Sequence, residues 1–305
     1  MHRTSPSSAI NRGAWFLKAI ILSAGQGRRL MPFTQDLPKC LLPVDEDRPV
    51  LEVQLQALRD AGITQASIMV GFQAEKVESF LASEPVPGIR VETVFNPFFD
   101  STENLVTAWL ARSEMEREFL LLNGDTLFEP EVLGRLLAAP AAPITLVVNE
   151  KSRYDADDMK VALDARGRIR AISKTLSDER VSGESIGLMR FSGDGVGAFQ
   201  SGLDRAVRTQ RGVHAYYLSV ISELSLEISV ESALMTGLWW GELDSPEDLL
   251  KIRTELAEIR PRMEGAKPEP LSSRAALSLR NGRAAAKGSR SAKRVPAAPA
   301  RSPVP

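Results

Sequence analysis

Histidine and cysteine are scarce in this 305-residue chain, which has only two histidines and one cysteine. His2 and His214 are too few for a multi-histidine zinc site, and histidine-based catalysis is not expected. Cys40 alone cannot form an intramolecular disulfide, which fits a reducing, cytoplasmic compartment. No run of about 18 apolar residues is present, so no transmembrane helix is expected. The first 15 residues also lack the apolar segment of a secretory signal.

Two common phosphate-binding motifs are missing as well. The small-residue turn Ser23-Ala24-Gly25-Gln26-Gly27 follows an apolar run, but Leu30 replaces the third glycine of a dinucleotide-binding G-x-G-x-x-G pattern. The Walker A pattern G-x-x-x-x-G-K-[ST] is absent. Small residues still let the backbone approach a ligand, and successive free N–H groups bind anions. The turn therefore predicts a phosphate-handling loop at the end of a first strand.

The bulk composition is that of an ordinary soluble protein, with 43% hydrophobic and 25% charged residues. The net charge of −1 hides an asymmetry, because residues 261–305 contain ten lysines and arginines against two glutamates. We expect a flexible leader (1–15), one domain (16–260) and a disordered basic tail (261–305) rich in Pro, Ala and Ser. A tail contact with nucleic acid or an anionic membrane is the alternative, but nucleic acid is not expected as the main partner. Nothing in the sequence indicates an oligomeric state.

Strands and helices alternate in the first half of the chain. The expected strands cover residues 18–22, 66–70, 90–95, 119–122 and 144–148, and the expected helices cover 49–61, 74–81, 103–116 and 130–137. This alternation predicts an α/β fold with a doubly wound, mostly parallel sheet. After residue 149, short strands are expected at 159–163, 169–172, 186–191, 225–230 and 238–241, with helices at 195–209 and 246–259. The second half is therefore predicted to add a β-rich substrate lobe.

A longer pattern surrounds the glycine turn and is more specific than the turn alone. It reads A-G-x-G-x-R-L-x-P-x-T, then P-K-x-L-x-P, and Gly124-Asp125 follows a later apolar strand. With these motifs the chain resembles the nucleotidyltransferases that make sugar nucleotides and related activated alcohols, over about residues 18–250. It is most similar to the phosphocholine cytidylyltransferase branch in three stretches. These are Asn96-Pro97-Phe98 with Glu103-Asn104-Leu105, residues 157–161 (DDMKV) and residues 240–244 (WGELD).

The resemblance implies a Rossmann-like nucleotidyltransferase fold and transfer of a nucleotidyl group to a phosphorylated acceptor, with release of pyrophosphate. Both substrates are anions, so the site needs cations and N–H donors that neutralise and align them. Arg29 can hold the leaving pyrophosphate through its planar fork, and Lys39 suits the α-phosphate as a point charge. The residues expected to bind the nucleotide are Leu22, Ser23, Ala24, Gly25, Gly27, Gly71, Thr102 and Asn104, of which Gly71 closes the base pocket and the last two read the base.

Two aspartates are candidate ligands of Mg²⁺. Asp125 directly follows a buried strand, where the edge of the sheet presents ligands to a crevice. The resemblance places Asp244 opposite it on the same ion, and a hard cation prefers such carboxylate oxygens. The structural alternatives are a turn or cap role for Asp125 and a helix-start role for Asp244, since Ser245 and Pro246 follow it.

The acceptor end of the site is less specified by the sequence. Lys160 and Glu184 resemble acceptor-binding residues of the family, and binding of the acceptor phosphate is the favoured role of Lys160. The alternative is an ordinary strand lysine on a solvated face. Choline would require an aromatic box, for which the candidates are Trp109, Tyr216, Tyr217, Trp239 and Trp240, unless these rings belong to the core. Phosphocholine, an aminoalkyl phosphonate and a sugar phosphate all remain as acceptors.

CTP is the favoured nucleoside triphosphate. The alternatives are a sugar-1-phosphate nucleotidyltransferase that uses UTP, dTTP or GTP, and a non-catalytic nucleotide-binding regulator on the same fold. The joint presence of Arg29, Lys39, Asp125 and Asp244 argues against the regulator, because a protein without catalytic function would be expected to lose at least one of them.

Overall fold

Thirteen strands and seven α-helices follow one another along residues 17–265, the part of the chain that this computed structural model describes. The strands are β1 (Lys18–Ser23), β2 (Pro43–Asp45), β3 (Arg48–Pro49), β4 (Gln65–Val70), β5 (Arg90–Phe95), β6 (Phe119–Asn123), β7 (Thr126–Phe128), β8 (Ile144–Asn149), β9 (Lys160–Leu163), β10 (Ile169–Ser173), β11 (Gly183–Phe191), β12 (Val230–Leu234) and β13 (Trp240–Glu242). The helices are α1 (Val50–Asp60), α2 (Ala74–Ser83), α3 (Asn104–Leu110), α4 (Pro130–Ala138), α5 (Asp194–Val207), α6 (Tyr217–Leu224) and α7 (Pro246–Gly265). The predicted leader lies outside the described residues.

The main sheet has the strand order β5-β4-β1-β6-β11-β8-β12. β1 pairs in parallel with β4 and β6, β4 in parallel with β5, and β8 in parallel with β12. β11 runs antiparallel to both of its neighbours, β6 and β8, so it is the single reversed strand in this row. The predicted α/β class with a mostly parallel sheet is confirmed.

The β-rich second half extends the same sheet. β11 pairs with β6 through its last four residues and with β9 through Gly183 and Glu184, and β9 pairs with β10. β11 is nine residues long, which is enough to reach from the parallel core to this outer hairpin. The predicted addition is therefore present, joined to the parallel strands by backbone hydrogen bonds.

Helices cover both faces of the sheet because alternate residues of each strand point to opposite sides. Ala19 and Ile21 of β1 face one apolar core, which includes residues of α1, α2 and α4. Ile20 faces a second core with residues of α3, α5 and α6. A third, smaller core packs α7 against Leu30, Leu42 and neighbouring side chains, which ties the C-terminal helix to the glycine loop. The predicted doubly wound arrangement follows from this pattern.

Several elements differ from their predicted bounds. No strand covers 225–230; instead α6 ends at Leu224, a loop follows in which Leu226 is 78% exposed, and β12 begins at Val230. α6 itself was not predicted, and its apolar side chains fill the second core. The predicted helix 103–116 divides into α3 and a 3₁₀ turn at Ala111–Glu114.

The C-terminal helix is longer than predicted. α7 continues through Pro261 to Gly265, so the first five residues of the predicted tail are helical. The rest of that tail lies outside the described residues. Among the helices of the described region, each is too short or too polar to cross a membrane.

Candidate active site

An open cleft of about 1200 Å³ lies at the carboxyl ends of the parallel strands. Ser23 ends β1, Asn123 ends β6 and Asn149 ends β8, and all three line this cleft. β11 runs in the opposite direction, so its first residues, including Glu184, reach the same edge. Ligands of open α/β sheets bind in this position, outside the carboxyl ends of the strands.

The glycine turn forms one wall of the cleft. Gly27 has φ 72° and ψ 52°, a left-handed conformation that favours glycine. Its carbonyl accepts hydrogen bonds from the backbone N–H of Leu30 (2.9 Å) and from the hydroxyl of Thr34 (2.8 Å). A Cβ added to Gly27 would lie 3.1 Å from Cδ of Lys39. The residue at position 27 must therefore be small to let Lys39 run beneath the turn.

Lys39 lies between the two predicted metal ligands. Its Nζ is 2.7 Å from Oδ2 of Asp125 and 2.6 Å from Oδ1 of Asp244. Burial disfavours the charged ammonium, but the two carboxylates outweigh this effect and raise the pKa of Lys39 above its ordinary value. Lys39 is therefore a permanently charged cation at the base of the cleft.

Arg29 completes a chain of charges. Its Nη2 is 2.7 Å from Oδ2 of Asp244, and its Nη1 is 3.3 Å from Oδ2 of Asp157. Burial raises the pKa of Asp244, but the positive charges of Lys39 and Arg29 lower it by a larger amount. The pKa of Asp244 is therefore below its ordinary value. The Arg29 side chain is 59% exposed, so its guanidinium is accessible to an anion in the cleft. The four residues predicted to catalyse transfer and to hold the metal thus form one connected group.

A short β-ribbon brings the two aspartates together. β13 pairs antiparallel with β7, with Glu242 opposite Thr126, and the backbone N–H of Leu243 donates to the carbonyl of Asp125 (3.0 Å). Asp125 and Asp244 are 119 positions apart in the sequence, yet this pairing places them at the same point of the cleft. Their proximity therefore depends on a tertiary contact.

A third carboxylate, Glu242, joins Asp125 and Asp244. One ligand oxygen from each of the three lies within 4.8 Å of the others. Oδ1 of Asp125 is buried and has no hydrogen-bond partner, which is expensive for an isolated carboxylate oxygen. A divalent cation would satisfy this oxygen, so the residues fit a hard metal ion.

Glu242 was not among the predicted site residues. The signal available in the sequence was its spacing from Asp244, because residues i and i+2 of an extended chain project to the same side. Its side chain is exposed to solvent within the cleft. The pKa of Glu242 is raised to about 8, first because the walls of the cleft partly remove water from its carboxylate, and then because the carboxylates of Asp125 and Asp244 repel its negative charge.

A smaller cavity of about 300 Å³ lies on the other side of the glycine turn. Ala24, Gly25, Thr102 and Asn104, all predicted to bind the nucleotide, line it. Gly71 lies directly behind it, where an added Cβ would be 2.5 Å from the carbonyl oxygen of Ala24 and 2.5 Å from Cβ of Phe99. Leu22, Ser23 and Gly27 line the main cleft instead.

The two predicted acceptor residues are placed differently. Glu184 lines the cleft, is 3% exposed, and accepts hydrogen bonds from Asn149 (2.9 Å) and Lys151 (2.7 Å). Lys160 pairs with Glu184 in the sheet register but is 8% exposed and does not line the cleft. Lys151 and Lys174 are the lysines that reach this part of the cleft. The role of Lys160 stays a prediction.

The five candidate aromatic residues do not form one box. Tyr216 and Trp240 line the cleft, and Nζ of Lys174 lies 4.8 Å from the centre of the Tyr216 ring. Tyr217 is fully buried, Trp109 donates to Asp204 (2.7 Å), and Trp239 donates to Glu255 (2.9 Å). Sequence spacing cannot predict which of two adjacent rings, Tyr216 or Tyr217, lines the cleft. The two side chains leave the backbone on different sides, so one is buried in the core and the other faces the cleft.

Comparison with known proteins finds a family match in the first half of the chain. Residues 18–153 match the nucleotidyl transferase family. This match covers less than half of the chain. The predicted resemblance and the predicted enzyme class, a nucleotidyltransferase, are confirmed.

Two relatives show how far the likeness extends. CMP-5'-(3-aminopropyl)phosphonate synthase from Streptomyces rubellomurinus is 36% identical over 148 residues, which are 46% of this chain and 23% of that protein. Choline-phosphate cytidylyltransferase from Streptococcus pneumoniae is 25% identical over 238 residues, which are 77% of this chain and 96% of that protein. The chain therefore spans less than a quarter of the first relative and nearly all of the second.

A solved structure supports the fold. The inositol-1-phosphate CTP transferase from T. maritima superimposes with a TM-score of 0.66 at 19% identity, over 80% of this chain and 97% of that one. Arg29, Lys39 and Asp125 lie inside the stretch that matches the nucleotidyl transferase family, whereas Glu184 and Asp244 lie beyond it. The structure of the whole domain is needed to connect the two groups.

Proposed function

We propose that this nucleotidyl transferase domain transfers the cytidylyl group of CTP to a small phosphorylated acceptor, such as phosphocholine or an aminoalkyl phosphonate. An anionic oxygen of the acceptor forms a bond to the α-phosphorus, the bond to the bridging oxygen breaks, and pyrophosphate leaves. The observation that carries the proposal is the connected group of Arg29, Lys39, Asp125 and Asp244 at the carboxyl edge of the sheet. It provides both the cations and the carboxylates that this reaction needs.

The cations act on the triphosphate. Backbone N–H groups of the glycine turn can hold the phosphates, because such turns bind anions. Arg29, whose guanidinium is exposed, can present its fork to the leaving pyrophosphate. Lys39 can stabilise the charge that develops on the α-phosphate. No side chain has to act as a general base, since the acceptor oxygen is already ionised.

Asp125 and Asp244, with Glu242 beside them, are the residues that would hold Mg²⁺. Such an ion, when bound, neutralises phosphate charge and polarises the reacting phosphoryl group. In the structure, Lys39 forms ion pairs with two of these carboxylates, those of Asp125 and Asp244. The same lysine can then turn towards the phosphates when the carboxylates are otherwise satisfied.

Two features of the cleft favour an acceptor that carries an ammonium group. Tyr216 and Trp240 line the cleft, and Nζ of Lys174 lies 4.8 Å from the centre of the Tyr216 ring. Ammonium groups bind over the faces of such rings. Lys151 and Lys174 can meet the acceptor phosphate or phosphonate, while Glu184 and Asp158 keep Lys151 in place through two contacts of 2.7 Å. The relative from Streptomyces is named CMP-5'-(3-aminopropyl)phosphonate synthase, and this name supports the choice.

The test is a substrate panel. The purified full chain is incubated with Mg²⁺ and each of CTP, UTP, dTTP or GTP, together with phosphocholine, 3-aminopropylphosphonate or glucose 1-phosphate, and pyrophosphate release is measured. We expect pyrophosphate release with CTP and either ammonium-bearing acceptor, phosphocholine or 3-aminopropylphosphonate. We expect no pyrophosphate release after the metal is chelated. Turnover only with the sugar phosphate would support the sugar-nucleotide alternative. No turnover with any pair, despite nucleotide binding, would support a regulator.

A further inference from the structure

The small cavity beside the glycine turn adjoins the main cleft, because Gly25, Arg28, Glu103 and Asn104 line both. A ligand whose phosphates lie along the turn can therefore extend into it. Phe99, which is half-buried and packs edge-on against Phe72, presents a ring at its wall. A volume of about 300 Å³ and an aromatic wall suit a nucleobase.

Two hydrogen-bonding groups of this cavity are already engaged. The hydroxyl of Thr102 donates to the carbonyl of Phe98 (2.8 Å). Oδ1 of Asn104 accepts from the backbone N–H of Tyr217 (3.1 Å), which leaves its NH₂ group as the free end of the amide. The hydroxyl proton of Thr102 and one lone pair of the Asn104 oxygen are therefore already engaged. A stronger acceptor for an amino group of a base would come from another side chain of the cavity.

Carboxylates supply that acceptor. Asp100 and Glu103 both line the cavity with exposed side chains, and neither side chain makes an ion pair or hydrogen bond within residues 17–261. Two unpaired carboxylates beside a triphosphate loop repel phosphate, so this wall suits a hydrogen-bond donor. Glu103 is the better placed, because it reaches both cavities and its backbone N–H is fixed to the carbonyl of Val213 (2.9 Å) at the start of α3.

We infer that the carboxylate of Glu103 selects cytosine over uracil, thymine and guanine by accepting a hydrogen bond from the N4 amino group of the base. Uracil and thymine carry an acceptor oxygen at the same position, and guanine carries O6. A carboxylate facing any of these oxygens leaves two acceptors opposed without a proton between them. The inference rests on the proposed function and adds the residue that distinguishes CTP from UTP.

Nucleotide binding without acceptor tests the inference directly. CTP and UTP are titrated with Mg²⁺ into the full chain by isothermal calorimetry, for the wild type, Glu103→Gln and the exposed control Glu116→Gln. We expect the wild type and the control to prefer CTP. Glutamine offers NH₂ donors to O4 of uracil, so Glu103→Gln should reduce the CTP preference by about tenfold or more. Thermal unfolding checks that each variant is folded.

Glu103→Gln removes the carboxylate acceptor and also adds an NH₂ donor, and a second variant distinguishes these two effects. Glu103→Ala should weaken CTP binding and strengthen UTP binding, because it removes both the acceptor for N4 and the acceptor that opposes O4. An unchanged CTP preference in both Glu103 variants, or a preference abolished by Asp100→Asn instead, would overturn the role of Glu103 and leave cytidylyl transfer intact. A wild-type chain that binds neither nucleotide would instead contradict the proposed function.

Discussion

At the scale of single residues, Lys39 joins the two halves of the site. Its ammonium contacts Asp125 and Asp244 at 2.7 Å and 2.6 Å, and its stem passes under Gly27. Removing one partner of a buried ion pair leaves an uncompensated charge. The position of Lys39 therefore matters both to the phosphates and to the carboxylates that surround it.

Lys39→Ala and Asp125→Ala should each lower kcat at least about 100-fold, because each removes charge that stabilises the transition state. Pyrophosphate release under saturating substrates measures the effect, corrected for the folded fraction. Lys76→Ala is the matched control, since among residues 17–261 this lysine donates only to the carbonyl of Asp36, outside the cleft. Near-normal rates in either site variant would mean that the reaction takes place elsewhere.

At the scale of elements, close approaches between loops shape the base cavity. Gly71 follows β4 and lies against Ala24 of the glycine turn and Phe99 of the loop after β5. No side chain fits between these two loops. Close packing at Gly71, together with the hydrogen bond from the backbone N–H of Phe72 to the carbonyl of Ala24 (2.9 Å), thus determines the width of the cavity.

Gly71→Ala should destabilise the domain by about 1–3 kcal/mol, as overpacking of a tight site does, and should also weaken nucleotide binding by pushing the two loops apart. Urea denaturation and calorimetry measure the two effects. Gly197→Ala in α5 is the control, because an added Cβ there meets nothing within 4 Å. Alanine in an open helix position should be neutral or stabilising by up to about 1 kcal/mol. Equal stability of the two variants would contradict the packing argument.

A charged contact ties β1 to the segment after α3. Nζ of Lys18 is 2.5 Å from Oε2 of Glu114, and the hydroxyl of Ser67 in β4 donates to the same oxygen (2.8 Å). Burial raises the pKa of Glu114, but the bonds from Lys18 and Ser67 outweigh it and hold the pKa below its ordinary value. The folded state therefore favours the ionised form of Glu114.

Glu114→Gln should lower the free energy of unfolding by about 1 kcal/mol at pH 7. Because the pKa of Glu114 is depressed on folding, this contribution is complete above the ordinary pKa of about 4.5 and is lost as the pH falls through the lower folded-state value. Urea denaturation at pH 7 and near pH 3 should show the difference shrinking at acid pH, with Glu116→Gln as the exposed control. A difference independent of pH would exclude this contact as its source.

At the scale of the whole molecule, every residue that lines the two cavities lies between Leu22 and Glu255. α7 packs on the small core around Leu30 and Leu42 and continues to Gly265. Residues up to 265 therefore contain both the site and the helix that supports the glycine loop.

A chain that ends after Gly265 should keep turnover within about twofold of the full chain, because the removed residues supply none of the described cleft. Steady-state pyrophosphate release measures this. Ending the chain before Ile252 removes apolar contacts of α7 with the glycine loop, and we expect loss of stability and activity together. A collapse of activity in the longer truncation would show that residues after 265 contribute to the reaction.

The order of the motifs along the sequence determined the fold class and much of the candidate site. Alternating strands and helices predicted the α/β fold, and the stretch from Ala24 to Pro43 with Gly124-Asp125 predicted a nucleotidyl transfer site. These signals are local, because a strand, a glycine turn and a proline-bounded lysine are encoded by neighbouring residues. The predictions for Arg29, Lys39 and Asp125 depend on them, and the prediction for Asp244 depends on the resemblance of residues 240–244. The structure brings those four side chains together.

Only the tertiary structure decided the rest. Glu242 joins the carboxylates because β13 pairs with β7, a contact between segments over 100 residues apart. Tyr217 is buried while Tyr216 faces the cleft. The unpredicted helix α6 forms just before the strand expected at 225–230, because its apolar side chains pack into the second core. Local sequence specifies which groups are available, whereas long-range pairing and packing determine which of them meet.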